Sequence, residues 1–575
     1  MWRRVFLSLV VVWLSLGVVY AQEPQAGADS LGDRLFPSLG NGGYEALHYT
    51  LDLSADIQND TLSGTVTIQA QATEDLRSFN LDFWGFSISA ITVNDQPVKY
   101  QRQDSELTIT PLTPLAKGDS FTVSVTYGGT PHGVDAVSLT LLTGWTDYGS
   151  GVFVASEPAG AQAWYPVNDH PLDKATYTFR ITVPDPYVVA ANGVLTQTID
   201  HGDSSTYVWE MRQPMASYLA TVDIDQFVLK TSTGPDGLTI RNYFPPDVVD
   251  SAVQTFDRTA DMIAFFSDIF GPYPFDAYGV VVANTRLPFA LETQTLTLFG
   301  RNEVGEASRG EMVVVHELSH QWFGDSVSLA DWKDIWLNEG FATYASWLWF
   351  EHTQGADTLD AIVRQTYESI ASNTREFSIP ITRQQLLDVL SQLTLDQATV
   401  SADAAAQVVH MLVNDAALED QVRASIAGHP GGQITGREII TFVASLPFDQ
   451  VSLKGEQVHT LITLLGLEHL LKEGAQFPES SYVPPADPTA WNLFNPGVYQ
   501  RGALTLHALR LTIGDAAFFK TLRTYYDRYQ YGNATTADFI AAAEEVSGQD
   551  LGAFFDAWLH DPIMPDIPEM DLSVG

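Results

Sequence analysis

The chain has 575 residues, 45% hydrophobic and 11% aromatic, enough for packed cores and too long for a single ordinary domain. Seventy acidic against 29 basic residues give a formal charge of −41, which argues against nucleic acid as a partner and reads first as solubility, second as attraction for cationic substrates. No cysteine is present, so disulfides, thiol catalysis and cysteine-ligated metals are excluded.

Residues 1–21 read as a signal peptide: Arg3 and Arg4 precede an apolar run from Val5 to Tyr20, and Val19 and Ala21 are the small residues that place cleavage after Ala21. The chain is therefore expected to be secreted or extracytoplasmic. The alternative is an uncleaved anchor, because the run nears the shortest span that crosses a bilayer; a membrane is a partner only in that case. Residues 22–42, rich in Gly, Ala, Gln and Pro, read as a flexible leader.

From 43 to about 232 the apolar pattern has period two. Tyr49, Leu51 and Leu53 alternate with polar residues, as do Val66, Ile68 and Ala70, then Phe121, Val123, Val125 and Tyr127, then Tyr177, Phe179, Ile181 and Val183. Turn clusters separate these runs, which predicts a mostly antiparallel β domain ending near Leu229. Residues 233–575 change character. Helices are expected at 253–269, 312–323 and 337–350, with a short strand at 280–283, and helices prevail to the end. Residues 380–485 carry helix-like runs at 404–426, 438–446 and 456–472, a Pro-rich close at 477–488, and no catalytic motif. The fold class is thus α+β and multidomain.

The chemistry-bearing stretch is His316-Glu317-Leu318-Ser319-His320. Histidines four apart on a helix lie on one face, about 6 Å apart along the axis, and can share one Zn²⁺. Glu317 flanks that face, where a carboxylate can take a proton from water on the metal. Eighteen residues beyond His320, a second helical run carries Asn338-Glu339-Gly340. Two histidines and Glu339 leave a fourth position open, as a catalytic zinc requires.

This constellation resembles the aminopeptidase N and leukotriene A hydrolase family of gluzincins. The likeness extends to Gly271-Pro272-Tyr273-Pro274-Phe275, to Phe289-Ala290-Leu291-Glu292-Thr293 where the family has its exopeptidase motif, to Glu157-Pro158 with Trp164-Tyr165-Pro166, Asp169 and Pro171, and to Val498-Tyr499-Gln500-Arg501-Gly502-Ala503. The resemblance implies a thermolysin-like, mostly helical catalytic domain and a secreted zinc aminopeptidase acting on peptides with a free N-terminus. By similarity His316, His320 and Glu339 bind one zinc, Glu317 is the general base and Tyr499 stabilises the oxyanion. Glu292 anchors the substrate's ammonium, Glu157 matches a second amine ligand found in part of the family, and Ala290 and Leu291 lie on an edge strand that pairs with substrate backbone. Asp325 either orients a ligand histidine or is a solvated loop residue. Trp322 and Trp336 are read as core.

Phe289 and Thr293 depart from the family's Gly and Asn, so substrate preference is not carried over; Gln162 and Val167 replace a common Arg and Cys and bear on packing. The separation of 160 positions from Glu339 to Tyr499 exceeds the family's usual spacing, so 380–485 reads as a helical insertion that limits access or binds a partner. The C-terminal helical domain of larger members is expected to be absent. Epoxide hydrolysis, endopeptidase action and a non-catalytic binding role are the competing functions.

Overall fold

The computed structural model describes residues 23–574 apart from 137–140, 306, 375–377, 393–397, 455–459, 462–463, 466–483, 491 and 562. The expected signal peptide and most of the expected helix at 456–472 lie outside the described residues. No helix among the described residues is long and apolar enough to cross a membrane.

The period-two runs become the centre of an eight-stranded sheet. Its order is Val194–Asp200, Ser204–Met215, Ala175–Pro184, Tyr44–Asp56, Thr61–Ala72, Ser120–Gly129, Ser87–Val93 and Gln96–Pro97. Pairing is antiparallel except that Ala175–Pro184 runs parallel to Tyr44–Asp56. Tyr49, Leu51, Leu53, Val66, Ile68, Tyr177 and Phe179 all turn inward and are buried, as one-sided burial requires of alternating strands. A five-stranded sheet beside it contains Val152–Ala155, after which the chain turns to present Glu157.

Two boundaries differ from the sequence expectation. The strand Val228–Thr233 pairs with Thr239–Phe244, not with the preceding sheets, so the break falls at Gln226–Phe227 instead of near 229–232. The leader is not a loose segment. Gln25–Ala26 adds to the edge of a four-stranded sheet beside Leu76–Asp82. Asp33 is buried, accepts the Trp332 backbone N–H at 2.9 Å and faces His170 Nε2 at 3.3 Å. The Gly-, Ala-, Gln- and Pro-rich composition suggested a flexible leader, but one carboxylate satisfied by partners from two domains fixes it.

The second half is built on a four-stranded sheet, Val228–Thr233, Thr239–Phe244, Ala277–Ala283 and Thr297–Gly300. Its helices are α1 (Val249–Thr255), α2 (Thr259–Ile269), α3 (Ala307–Ser319), α4 (Trp336–Gln354), α5 (Ala356–Thr374), α6 (Arg383–Gln392), α7 (Ala402–Leu412), α8 (Ala416–Ala427), α9 (Arg437–Ser445), α10 (Gly502–Ile513), α11 (Asp515–Tyr529), α12 (Thr536–Ser547) and α13 (Gly552–Leu559). The single helix expected at 253–269 is two, because the chain breaks at Phe256–Arg258 and the Thr259 hydroxyl bonds back to the Phe256 carbonyl. The run at 404–426 is also two. Asn414 takes φ 56° and ends α7, and Asp415 caps α8 by accepting from Ala417 and Leu418 N–H.

Trp322 and Trp336 are fully buried, their indole N–H groups bonded to the Gly271 carbonyl and the Thr536 hydroxyl. Lys174, from the β half, donates to the carbonyls of Asp325, Ser326 and Gly532 at 2.8–3.0 Å and ties the two halves together just behind the turn that follows His320.

Candidate active site

Val314, Val315 and Leu318 bury one side of α3, which turns His316 and Glu317 toward the interior of the cleft. His320 follows the end of α3 by one residue, and Glu339 lies in the first turn of α4. The His316 and His320 Nε2 atoms are 3.2 Å apart; Glu339 Oε2 lies 3.0 Å from the first and 3.5 Å from the second. A tetrahedral ion with bonds of about 2.0–2.1 Å separates its ligand atoms by about 3.3 Å, so this triangle fits one zinc. His320 Nδ1 stands 3.1 Å from the Phe323 carbonyl; donating there leaves Nε2 free as a ligand. Burial holds His316 in its neutral form by lowering its pKa. Burial also lifts Glu317 well above the usual carboxylate range, against the pull of His320 and with Glu292 and Glu339 adding to the rise. A carboxylate raised this way is a better proton acceptor.

Tyr499 sits on a single π-helical turn, Gly497–Arg501, that opens α10. Asn495 Oδ1 accepts the Gly497 N–H at 2.7 Å and starts the turn. Arg501 is buried and its guanidinium donates to the carbonyls of Ala557, Trp558 and Asp561, at the end of α13. Gly340 and Gly502 let the turn approach α4: a Cβ on either would stand 3.0 Å from the other's backbone. The Tyr499 ring stacks on His316 with centroids 5.9 Å apart. Burial and four surrounding carboxylates raise its pKa well above 10, so the hydroxyl stays a donor.

The remaining carboxylates come from different halves of the chain. Glu157 and Glu292 are buried, and ligand atoms of Glu157, Glu292 and Glu339 lie within 4.8 Å of one another. Each of Glu157 and Glu292 keeps one oxygen with no hydrogen-bond partner. Burial raises both carboxyl groups, and the Glu292 charge is the next cause for Glu157. Such a pair is costly until a cation joins it.

The Glu292 segment differs from the expected edge strand. Only Leu291 bridges to Leu298, so residues 289–294 form a loop laid along the sheet edge, not a strand. Its far end is held by Thr295, a β-branched residue at φ 67°, whose N–H bonds to Gln321 Oε1 and whose hydroxyl accepts from Gly193 N–H. Strain of about 1–3 kcal/mol at such a backbone is offset by these bonds. Gln321 joins the 289–294 loop to the turn that follows His320: its Nε2 donates to the Glu292 carbonyl and to Asp325 Oδ2. Asp325 is therefore neither solvated nor the orienter of His320, which uses the Phe323 carbonyl; it is buried and receives Gln321. Gln321, Arg501 and the pair Gly340–Gly502 were not assigned roles from sequence. Their only signal was adjacency to the motifs, since their partners come from distant segments.

Glu157, Glu292, His316, Glu317, His320, Glu339 and Tyr499 line one cavity of about 260 Å³, together with Thr143, Ala155, Pro288, Phe289, Ala290, Leu291 and Phe494. Among the described residues that line it there is no lysine or arginine.

The chain is similar to known proteins along most of its length. Residues 45–219 match the Peptidase M1 N-terminal domain, and residues 254–427 and 479–558 match the Peptidase family M1 domain. Aminopeptidase M1 of Arabidopsis thaliana is 26% identical over 52% of this chain and 36% of its own length. Endoplasmic reticulum aminopeptidase 1 of Homo sapiens is 26% identical over 52% of this chain and 34% of its own length. The matched region thus spans about a third of these curated relatives. An M1 zinc metallopeptidase from Deinococcus radiodurans, solved as a mutant with a Tyr-Ser-Ala substrate, is 28% identical, covers 94% of this chain and 100% of its own, and superposes with a TM-score of 0.68. The same protein without that substrate gives 28%, 94%, 98% and 0.68. With both family domains matched in order on the β and helical halves, the chain belongs to peptidase family M1.

Proposed function

We propose that this chain is a zinc aminopeptidase that removes the first residue of peptides with a free amino end. One observation carries the reading: the His316–His320–Glu339 triangle and the two carboxylates with unbonded oxygens, Glu157 and Glu292, open into one cavity. Carboxylates left unpaired in a buried site select a ligand that brings the missing cation, and a peptide's α-ammonium is that cation. Because the anchor lies beside the metal ligands, a chain held there by its amine presents its first peptide bond, not a later one.

Zinc bound by His316, His320 and Glu339 would polarise the scissile carbonyl and make water a stronger acid. Glu317, raised by burial, takes the proton from the attacking water and hands it to the leaving amine. The Tyr499 hydroxyl donates to the developing oxyanion. The loop at 289–294 offers the backbone of Ala290 and Leu291 beside the substrate. The deciding experiment compares one short peptide with a free and with an N-acetylated amino end. Cleavage of the free peptide alone, lost on chelation and in Glu317→Gln, supports the reading; equal cleavage of both peptides overturns it in favour of an endopeptidase.

Export is proposed from residues 1–21 alone. Protein recovered outside the cytoplasm should begin at Gln22, and a chain beginning at Met1 in the membrane fraction would instead make that segment an anchor.

A further inference from the structure

The described residues between 378 and 465 form a unit with its own hydrophobic core, separate from the core formed by the other described residues. The strands Ser378–Thr382 and Gln450–Lys454 pair antiparallel and bring its entry and exit side by side. Within it stand two helix–loop–helix units, α6–α7 and α8–α9. Each loop contributes a three-residue strand, and Thr399–Ser401 pairs antiparallel with Gln433–Thr435 so that Val400 faces Ile434, both buried. The helices meet crosswise, α7 against α8 and α6 against α9. Each loop closes onto the next helix with one of the two reciprocal bonds of a helix start: Ser401 Oγ accepts the Ala404 N–H, and Glu438 reaches back to accept the Thr435 N–H at 3.0 Å.

This is the arrangement of paired EF-hands, in which a twelve-residue loop turns at a glycine in position 6 and binds calcium through positions 1, 3, 5, 7, 9 and 12. Gly432, at φ 68°, fills the glycine position of the second loop. That register puts Ala427, His429 and Gly431 at positions 1, 3 and 5, with only Glu438 left as a carboxylate, at position 12. The strand pairing transfers the register to the described part of the first loop, where Ala398 takes position 6 and Ala404 position 12. Among the described residues, neither loop keeps the set of carboxylates that a calcium site needs.

EF-hand pairs that bind targets do so by accepting an apolar helix face into the groove between their helices. Here the chain supplies such a face itself. Leu461 and Leu465, one helical turn apart with the Leu465 N–H bonded to the Leu461 carbonyl, are 2% and 1% exposed and belong to the unit's core.

We propose that residues 378–465 are an EF-hand pair that has lost calcium and holds, as its helical ligand, the segment of this chain carrying Leu461 and Leu465. The unit is then a metal-independent clamp on the chain just before it returns to Phe494 and Tyr499. The proposal does not depend on the reaction the site performs.

The chain has no cysteine, so Leu465→Cys in the full protein creates a single reporter thiol. Its reaction with a thiol reagent should be slow, and an excess of a peptide of residues 456–472 should compete for the groove and speed labelling at least about tenfold, while a scrambled peptide does nothing. Fast labelling without peptide would mean the segment is not seated. Slow labelling that the peptide cannot change would mean it is fixed core, not a displaceable ligand. Either result overturns the clamp. Millimolar calcium should leave the labelling rate and the melting temperature of the zinc-loaded protein unchanged. A calcium effect abolished by Glu438→Gln would show a working calcium loop and refute its loss.

Discussion

Replacing Glu292 by Gln should move activity and stability in opposite directions. The substitution keeps the shape of the side chain and one acceptor oxygen but removes a charge buried among Glu157, Glu317 and Glu339. A substrate ammonium in the variant still faces Glu157, so the loss sits at the lower end of the cost of breaking a buried charge pair, about 2–3 kcal/mol. That converts to about a 30- to 150-fold fall in kcat/KM for free-amine peptides. Without substrate the same charge is a burden, because burial raises Glu292 and Glu157 together and each has an unbonded oxygen. Removing it should stabilise the unliganded protein by about 0.5–2 kcal/mol, a rise of a few degrees in melting temperature. The assay is kcat/KM on matched free and N-acetylated dipeptide substrates, with thermal unfolding of the same preparations. Glu157→Gln and the double variant complete a cycle; coupling well above 0.5 kcal/mol is expected for two groups gripping one ammonium. If Glu292→Gln loses activity equally on free and blocked substrates, or lowers the melting temperature, the anchor argument fails.

Four further outcomes are expected. Chelation should abolish activity and lower the melting temperature by several degrees, both restored by zinc, because the ion binds the folded triangle and not the unfolded chain; no thermal shift would mean His316, His320 and Glu339 do not form the site. Tyr499→Phe should lower kcat by about 10²–10³ with little change in KM, and a change confined to KM would remove its oxyanion role. Peptides beginning with Asp or Glu should turn over at least about tenfold more slowly than those beginning with Leu or Phe, since the cavity presents apolar side chains and carboxylates and no cationic lining residue; equal rates would show that the first side chain lies elsewhere. His507 is buried beside Tyr344, and burial followed by Arg510 pushes its pKa down to about 4. The unfolded chain has a value of about 6.5, so its contribution is fully present above that pH and is lost as the pH falls through 4, up to about 3 kcal/mol. His507→Gln should flatten melting temperature against pH between those values, and an unchanged slope would assign the acid sensitivity to other groups.

The sequence by itself determined what depends on short separations. Strand alternation at Tyr49–Leu51–Leu53 and at Tyr177–Phe179–Ile181 follows from the two-residue repeat of a strand. The convergence of His316 and His320 follows from the 3.6-residue helical turn, and a second helical run placed Glu339 for comparison with it. Tertiary structure decided what depends on partners distant in the chain. The leader looked unstructured until Asp33 met Trp332 and His170. Asp325 had two sequence readings and took neither, because Gln321 reached it first. The helix expected over 404–426 broke at Asn414–Asp415, where Asn414 turns left-handed and Asp415 caps the following helix. Glu157 and Glu292 become an amine-sized pair, and Tyr499 comes to lie on His316, only when the β half packs against the helical half and Gly340 meets Gly502. Local periodicity fixes direction within an element; the approach of two elements is set by side-chain volume and polar satisfaction summed over both, which no window of sequence contains.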